Sequence, residues 1–370
     1  MLELDGLRGI AIALVVFYHY ASIPLGRSSW PVLQRIFAIG WSGVDLFFVL
    51  SGFLIGGILL RAVGSPNYYK VFYVRRFYRI VPLYYLWVLG YFAFIGIWGS
   101  AETWHALPLY LLFVQNSFKI HHAAIGTAVL GALWSVAVEE QFYLIIPSLI
   151  RFFSRGLVLA GLTAMLLVAP LVRVLLYIYV PAHSAAPYML TICRADALSL
   201  GVLAAFAWQS DRFKAGFLRY RAHAYVLFLA LFAGFLALAV LSPLQYSMRM
   251  YAWGFSLIDA FFAVTMLMTI LDTRSVWAAI CRWSFLGSLG RVSYCLYVIH
   301  VFVDFLCHKA VFERLPRFDS ASTVLVSLGA AALSYATALA SWKFFEQPLL
   351  QRAHAYKYQT GAQPARDLAA

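Results

Sequence analysis

Apolar runs of about twenty residues recur along the whole chain and constrain its fold more than any other feature of the sequence. A helix needs about 20 apolar residues to cross a hydrocarbon core about 30 Å thick. Hydrophobic residues make up 63% of the 370 residues, and charged residues only 12%. A soluble domain, which is about half apolar and a quarter charged, could not bury so much apolar surface. We therefore predict an all-α polytopic membrane protein.

The apolar runs predict ten transmembrane helices, delimited by charged residues, Pro or Gly. We place them at about residues 5–22, 38–60, 76–98, 133–150, 157–179, 188–208, 223–241, 251–271, 283–306 and 322–345. The apolar stretch from Leu107 to Val114 is too short to span, so we expect it at the interface or re-entering the membrane. The predicted organisation is one membrane domain, residues 1–350, followed by a short, disordered cytoplasmic tail, residues 351–370.

Basic residues are divided unequally between the two sides of this predicted topology. One set of alternate gaps holds Arg61, Lys70, Arg75, Arg76, Arg79, Arg151, Arg155, Arg212, Lys214, Arg219, Arg221, Arg274 and Arg282. The opposite gaps hold only Arg27, Arg35, Lys119, Arg249, Lys309, Arg314 and Arg317. The positive-inside rule then places both termini in the cytoplasm, as an even number of helices also requires. The net charge of +13 follows from this topology, so we expect membrane lipid and no nucleic acid as a partner.

Neither the first helix nor the cysteines show signs of processing or metal binding. The first apolar run follows Glu3 and Asp5 rather than basic residues and lacks a small-residue cleavage site, so we expect it to remain in place. The four cysteines have neither CxxC spacing nor a neighbouring His pair, which predicts reduced packing residues and no metal.

Ionisable side chains inside the apolar runs are the candidate functional residues. Each costs at least a few kcal/mol at bilayer depth, so each invites a functional hypothesis with a named partner. The candidates are Arg8, His19, Asp45, Glu139, Glu140, Arg194, Asp196, Asp259, Arg291, His300 and Asp304.

Arg8 and His19 are predicted to share one face of the first helix. Their spacing corresponds to about 16 Å of helical rise and nearly a whole number of turns. This arrangement suits a substrate that threads along the helix, with its charged end at Arg8 and its reactive atom near His19. The alternative is an Arg that snorkels to the interface and a His that bonds a neighbouring carbonyl.

Two other pairs are spaced for different kinds of contact. His300 and Asp304 are four residues apart, so the carboxylate could orient the imidazole, although an interhelical structural network explains the pair equally well. Arg194 and Asp196 are two apart and cannot meet well on one helix, so we expect them to contact other helices.

Glu139 and Glu140 point about 100° apart on a helix. They are therefore not expected to share one proton. We expect one to face a cavity and the other to pair with Arg194 or to lie nearer the interface.

Three arginines precede Ile80 and Pro82 in a run predicted to be cytoplasmic. Arg75 and Arg79 share a helical face and Arg76 lies beside them, which offers guanidinium groups to several phosphate oxygens. A nucleotide-bearing cofactor would fit there. A positive-inside anchor on lipid head groups would also explain the run.

Six motifs resemble the acyltransferase-3 family of membrane O-acyltransferases, in the order found in that family. They span residues 4 to 348: Leu4–Ile10 leading to His19, Gly43–Ile55, Arg75–Pro82, Trp134–Tyr143, Ser293–His300 and Phe344–Pro348. The resemblance implies acetyl-CoA or another acyl-CoA as donor. It also implies a hydroxyl acceptor on O-antigen, exopolysaccharide, peptidoglycan or a hydroxylated secondary metabolite, at the bacterial inner membrane.

The resemblance also implies roles for individual residues. His19 matches the family's essential histidine and Arg8 its partner arginine, and Arg75 and Arg79 match the ends of its cytoplasmic arginine motif. The buried acids of the family match Asp45 and either Glu139 or Glu140. Some members append an extracytoplasmic hydrolase-like domain, which this sequence does not show, so we expect transfer within the membrane domain or with a separate partner.

The resulting hypothesis is acyl transfer with His19 as general base. The CoA phosphates lie near Arg75, Arg76 and Arg79, and Asp45 or a glutamate orients His19. An acyl-enzyme on His19 or Ser51 is an alternative to direct transfer. The remaining candidates are assigned to substrate binding: Arg194, Asp196, His300 and Asp304.

Two other classes of protein would also contain such a helix bundle. A proton-coupled transporter also uses buried His, Asp and Glu, but we find no internal symmetry between halves. A sensor or scaffold gives no reason for so many buried charges.

Overall fold

A computed structural model of the chain describes residues 1–26, 34, 37–98, 101–118, 129–180, 185–242 and 245–359. Within these ranges the chain forms helices and no strand, and ten helical segments are long and apolar enough to cross a membrane. The prediction of an all-α polytopic membrane protein is confirmed. Arg27, Arg35, Lys119 and the end of the predicted tail, residues 360–370, lie outside the described residues.

The ten long helices are numbered α1 to α10 in chain order. Their bounds are Leu2–Phe17, Gly43–Ala62, Tyr68–Trp98, Trp134–Phe152, Arg155–Tyr179, Ala195–Gln209, Arg221–Leu241, Phe255–Leu271, Ser284–Phe312 and Ala321–Ser341. Wider π-helical turns interrupt this regular pattern at three places. One extends α1 (Tyr18–Ser22), one precedes α8 (Met250–Gly254), and one joins α10 to a final helix, Gln347–His354 (Trp342–Glu346).

Helix boundaries differ from the predicted ones mainly at α3 and after α10. Helix α3 begins at Tyr68 rather than at residue 76, so Arg75, Arg76 and Arg79 lie within the helix and not at its start. The last helical segment continues to His354, past the predicted end at residue 345. Charged residues hid both extensions, because hydropathy alone marks a helix end where polar side chains begin.

The short apolar stretch after α3 folds back against that helix. It forms a helix only from Leu107 to Leu111 and ends at Phe113, whose φ is 54°. The Tyr84 hydroxyl of α3 donates to the Tyr110 carbonyl at 3.0 Å, and the Tyr85 hydroxyl donates to the Leu111 carbonyl at 2.7 Å. The segment is thus too short to span, as predicted.

Two helix pairs pack with their backbones in close contact, α2 with α6 and α1 with α9. A Cβ at Gly52 of α2 would lie 2.1 Å from the Leu198 carbonyl oxygen of α6. A Cβ at Gly290 of α9 would lie 1.8 Å from the Asp5 carbonyl oxygen of α1. Small residues allow such approaches, which replace the missing hydrophobic driving force between helices in lipid. These crossings hold together the core of the bundle.

Helix α7 lies at the periphery and exposes its apolar side chains. Val226, Leu229, Leu236 and Val240 are each between 48% and 70% exposed. A continuous apolar surface of this kind is unfavourable in water and favourable in contact with lipid tails.

We expect Gly52→Ala to lower the free energy of unfolding by about 1–3 kcal/mol, because the added methyl would overlap the α6 backbone. Gly161→Ala is the matched control, since a Cβ there meets nothing within 4 Å. It should leave stability unchanged or raise it slightly, since Ala restricts the unfolded chain. Titration of both purified variants with a denaturing detergent measures the difference. Equal stability of the two variants would contradict the tight crossing.

Candidate functional site

A cavity opens between α1, α2, α3, α4 and α9. Its charged lining consists of Arg8 of α1, Arg76 and Arg79 of α3, and Glu139 of α4. We call it the arginine cavity. Its excess of guanidinium groups suits a ligand that carries phosphates.

The remaining arginine of the run, Arg75, does not line this cavity. Its Nε and Nη2 donate to the Tyr356 carbonyl at 2.9 and 2.6 Å, and its guanidinium group lies over the Tyr358 ring. Arg76 and Arg79 line the cavity, whereas Arg75 is not among its lining residues and holds the segment that follows the last helix. A role of Arg75 in donor binding stays a prediction.

The two adjacent glutamates of α4 have different surroundings, as their angular separation predicts. Glu139 lines the arginine cavity. Glu140 does not line it, and its buried Oε1 has no hydrogen-bond partner among the described residues. Beside Glu139, the hydroxyls of Ser51 and Tyr143 are hydrogen-bonded to each other, and Arg76 lies over the Tyr143 ring at 5.6 Å.

A second cavity lies farther along α1. We call it the histidine cavity, since His19 lines it together with aromatic side chains that include Tyr18, Trp134, Tyr188 and Tyr246. Tyr188 and Tyr246 lie in the connections between long helices, and burial raises the pKa of both phenols. Both therefore remain protonated at neutral pH and can donate hydrogen bonds.

The two cavities adjoin at Val44 and Tyr297, which line both of them. Arg8 lines the first cavity and His19 the second. Their common helical face stays a prediction.

A backbone carbonyl orients His19. The residue lies in the π-helical turn Tyr18–Ser22, and its Nδ1 is 2.9 Å from the Val15 carbonyl oxygen. A carbonyl only accepts, so Nδ1 carries the proton and Nε2 keeps its lone pair. A His bonded to a neighbouring carbonyl was the structural alternative for this residue. In this structure that bond leaves Nε2 as a basic nitrogen. The His300 ring is the nearest aromatic partner described, with centroids 4.7 Å apart.

Asp45 does not orient His19, contrary to the hypothesis from the sequence. Arg194 donates to Asp45 Oδ1, and both side chains are fully buried. Neither residue is among those that line the two cavities. The Arg194 guanidinium also lies 4.4 Å from the Phe255 ring centroid. Since Arg194 is paired with Asp45, the suggested pair with a glutamate of α4 is also wrong.

Asp196 contacts another helix, as expected, through an arginine that sequence reasoning missed. Arg173 of α5 donates to Asp196 Oδ2 at 2.8 Å and to the Cys193 carbonyl at 2.6 Å. Arg173 interrupts an apolar run, and this interruption could have identified it as a candidate from the sequence. With Asp45, Asp259 and Arg194, these residues form a buried charge cluster that joins α2, α5, α6 and α8. The assignment of Arg194 and Asp196 to substrate binding gains no support from this position.

We expect Arg194→Ala to lower the free energy of unfolding by about 3–5 kcal/mol, because it leaves Asp45 buried without its cation. The control is Lys214→Ala, which removes an exposed pair with Asp211 and should cost less than about 1 kcal/mol. Both are measured by detergent titration. An Arg194→Ala protein of parental stability but without activity would instead indicate a functional role.

His300 and Asp304 separate into two environments. His300 Nδ1 lies 2.7 Å from the Tyr297 carbonyl oxygen, so that carbonyl orients the imidazole. Asp304 accepts from Ser327 of α10 at 3.0 Å and lies 3.7 Å from His308 Nε2. The interhelical network is therefore present for Asp304, while His300 adjoins His19.

Tyr297 is the other residue that sequence reasoning missed. Its hydroxyl lies 2.6 Å from Ser135 Oγ and donates to the Ala132 carbonyl at 2.8 Å. It belongs to the motif Ser293–His300, but a Tyr in an apolar helix carries no charge signal.

Comparison with known proteins places the whole bundle in context. The model of one protein family, described as an acyltransferase domain, matches residues 1–343. The protein YrhL of Bacillus subtilis is 29% identical over 318 residues, which cover 80% of this chain and 47% of that protein. The peptidoglycan O-acetyltransferase OatA of Listeria monocytogenes is 28% identical over 322 residues, covering 80% and 48% respectively. The chain thus matches about half the length of these relatives, and no solved structure matches it.

Proposed function

Because this chain belongs to the acyltransferase-3 family, as its six motifs predicted, we propose that it transfers an acyl group from acyl-CoA to a hydroxyl of a cell-envelope carbohydrate. Acetyl is the proposed acyl group, since the relative from Listeria is named as an O-acetyltransferase of peptidoglycan. The bacterial inner membrane is the proposed location, with both termini in the cytoplasm.

One observation supports this proposal most: the arginine cavity and the histidine cavity adjoin. Arg76 and Arg79 offer planar donors to the phosphates of the nucleotide end of CoA, a geometry in which Arg exceeds Lys. His19 offers a basic Nε2 in the adjoining cavity. A donor anchored in the first cavity would extend its thioester toward the second.

The proposed reaction is direct transfer with His19 as general base. Nε2 takes the proton of the acceptor hydroxyl while the hydroxyl oxygen attacks the thioester carbonyl carbon. The carbon–sulfur bond then breaks, and the departing CoA sulfur takes up the proton from the imidazolium. The Val15 carbonyl bonds Nδ1–H throughout and stabilises the positive charge on the ring.

The acceptor would occupy the histidine cavity. Its aromatic lining, with protonated phenols at Tyr188 and Tyr246, offers ring faces and hydrogen-bond donors to a sugar. This lining favours a carbohydrate over a purely apolar acceptor.

The test uses the purified chain in detergent with acetyl-CoA labelled in the acetyl group. We expect release of free CoA and transfer of label to peptidoglycan fragments or to lipopolysaccharide that carries O-antigen. The acceptor that becomes labelled identifies the substrate class. If no acyl-CoA is consumed, even with a solubilised membrane extract as acceptor, the proposal is wrong and proton-coupled transport becomes the better hypothesis.

A further inference from the structure

Two side chains lie where the two cavities adjoin. Val44 belongs to α2 and Tyr297 to α9, and both line the arginine cavity and the histidine cavity. Both are only 6% exposed. A ligand that extends from the first cavity into the second would pass beside these two residues.

The Tyr297 ring is held in place by two hydrogen bonds and a ring contact. Its hydroxyl donates to the Ala132 carbonyl at 2.8 Å, which leaves the phenol oxygen to accept from Ser135 at 2.6 Å. The Phe47 ring packs edge-on against it with centroids 6.1 Å apart. Swinging the ring aside would break both hydrogen bonds inside a buried site, which costs about 1–3 kcal/mol for each group left unsatisfied.

We propose that Tyr297, together with Val44, sets the length of acyl chain that the protein transfers. This inference rests on the proposed function, because it takes the donor to be an acyl-CoA anchored at Arg76 and Arg79. In the proposed pose the thioester approaches His19 from the arginine side and its carbonyl lies at the junction, with the acyl carbons against the Tyr297 ring. A two-carbon acyl group fits beside a fixed ring, whereas each further methylene must displace it or enter the space of the acceptor.

The experiment compares acetyl-CoA, butyryl-CoA and hexanoyl-CoA as donors, with a solubilised membrane extract as acceptor. Free CoA release gives kcat/KM for each donor and hence a hexanoyl-to-acetyl ratio. Tyr297→Ala should raise this ratio by roughly tenfold or more, since a methylene placed in or out of an apolar pocket changes kcat/KM by about that factor. Tyr297→Phe is the matched control: it keeps the ring and removes only the hydroxyl, so the ratio should stay within about twofold of the parent.

Val44 provides an independent test at the same junction. Val44→Ala should raise the ratio and Val44→Ile should lower it, so the inference can be tested even if Tyr297→Ala does not fold. Unchanged ratios in folded variants that still consume acetyl-CoA would overturn the role of the junction and leave the proposed function standing. Failure of the parent protein to consume any of the three donors would instead overturn the proposed function.

Discussion

His19→Ala should reduce acyl transfer by about 10²- to 10⁴-fold, the contribution typical of a positioned general base. The reason is specific to one atom. The Val15 carbonyl holds the proton on Nδ1, so Nε2 is the nitrogen that can take a proton from an acceptor in the histidine cavity. Alanine removes that nitrogen without adding bulk to the cavity. The measurement is release of free CoA from acetyl-CoA by the purified protein in the presence of acceptor.

His223→Ala is the matched control, since His223 is exposed at the start of α7 and lines neither cavity. It should leave both the rate and the detergent-titration profile unchanged. Added imidazole should restore part of the activity of His19→Ala if the missing function is proton transfer. Residual turnover near the parental rate would rule out the general-base role.

Labelled acetyl-CoA separates direct transfer from a covalent intermediate on Ser51. If Ser51 formed an acyl-enzyme, label from acetyl-CoA would remain on the protein after denaturation, and Ser51→Ala would abolish it. Direct transfer predicts no protein-bound label in the parent.

The second large effect is expected at the arginine cavity. Arg76→Ala and Arg79→Ala should each raise KM for acetyl-CoA by about 10- to 100-fold, since charge-assisted hydrogen bonds contribute about 1.5–3 kcal/mol. Arg75→Ala should change KM far less, because its guanidinium group binds the Tyr356 carbonyl rather than the cavity. Steady-state kinetics with acetyl-CoA as the varied substrate measures all three variants.

A truncated donor provides the internal control. Acetyl-pantetheine lacks the nucleotide and its phosphates, so its kcat/KM should respond little to loss of Arg76 or Arg79. Equal effects of both variants on both donors would show that the arginines act on structure and not on phosphate. An effect of Arg75→Ala as large as that of Arg79→Ala would show that the C-terminal segment moves aside when donor binds.

Hydropathy predicted the membrane architecture well, because a bilayer permits few alternatives to apolar helices. All ten long helices lie where the apolar runs are, and charge-rich ends such as Tyr68–Arg79 account for the main boundary errors. The side of the membrane on which the termini lie stays a prediction.

The site was only partly predictable, for a physical reason. Helical spacing identified Arg8, His19 and one cavity-facing glutamate, since those relations lie within one helix. Contacts between helices, such as Arg194 with Asp45, depend on how the helices pack, and no local pattern encodes that. The π-helical turn at His19 was also invisible, because it changes backbone bonding and not composition.

The close crossing of α1 with α9 gives the two sides of the proposed reaction path unequal stiffness. Helix α1, which leads to His19, is held against α9 at Gly290, where the backbones nearly touch at Asp5. The opposite wall consists of α3 and α4, which are interrupted by Pro82 and Pro147 and can bend where a backbone hydrogen bond is missing. Bending there would widen the entrance for a bulky donor while the imidazole kept its place. Donor binding would then take place at a flexible part of the bundle, and proton transfer at a rigid part.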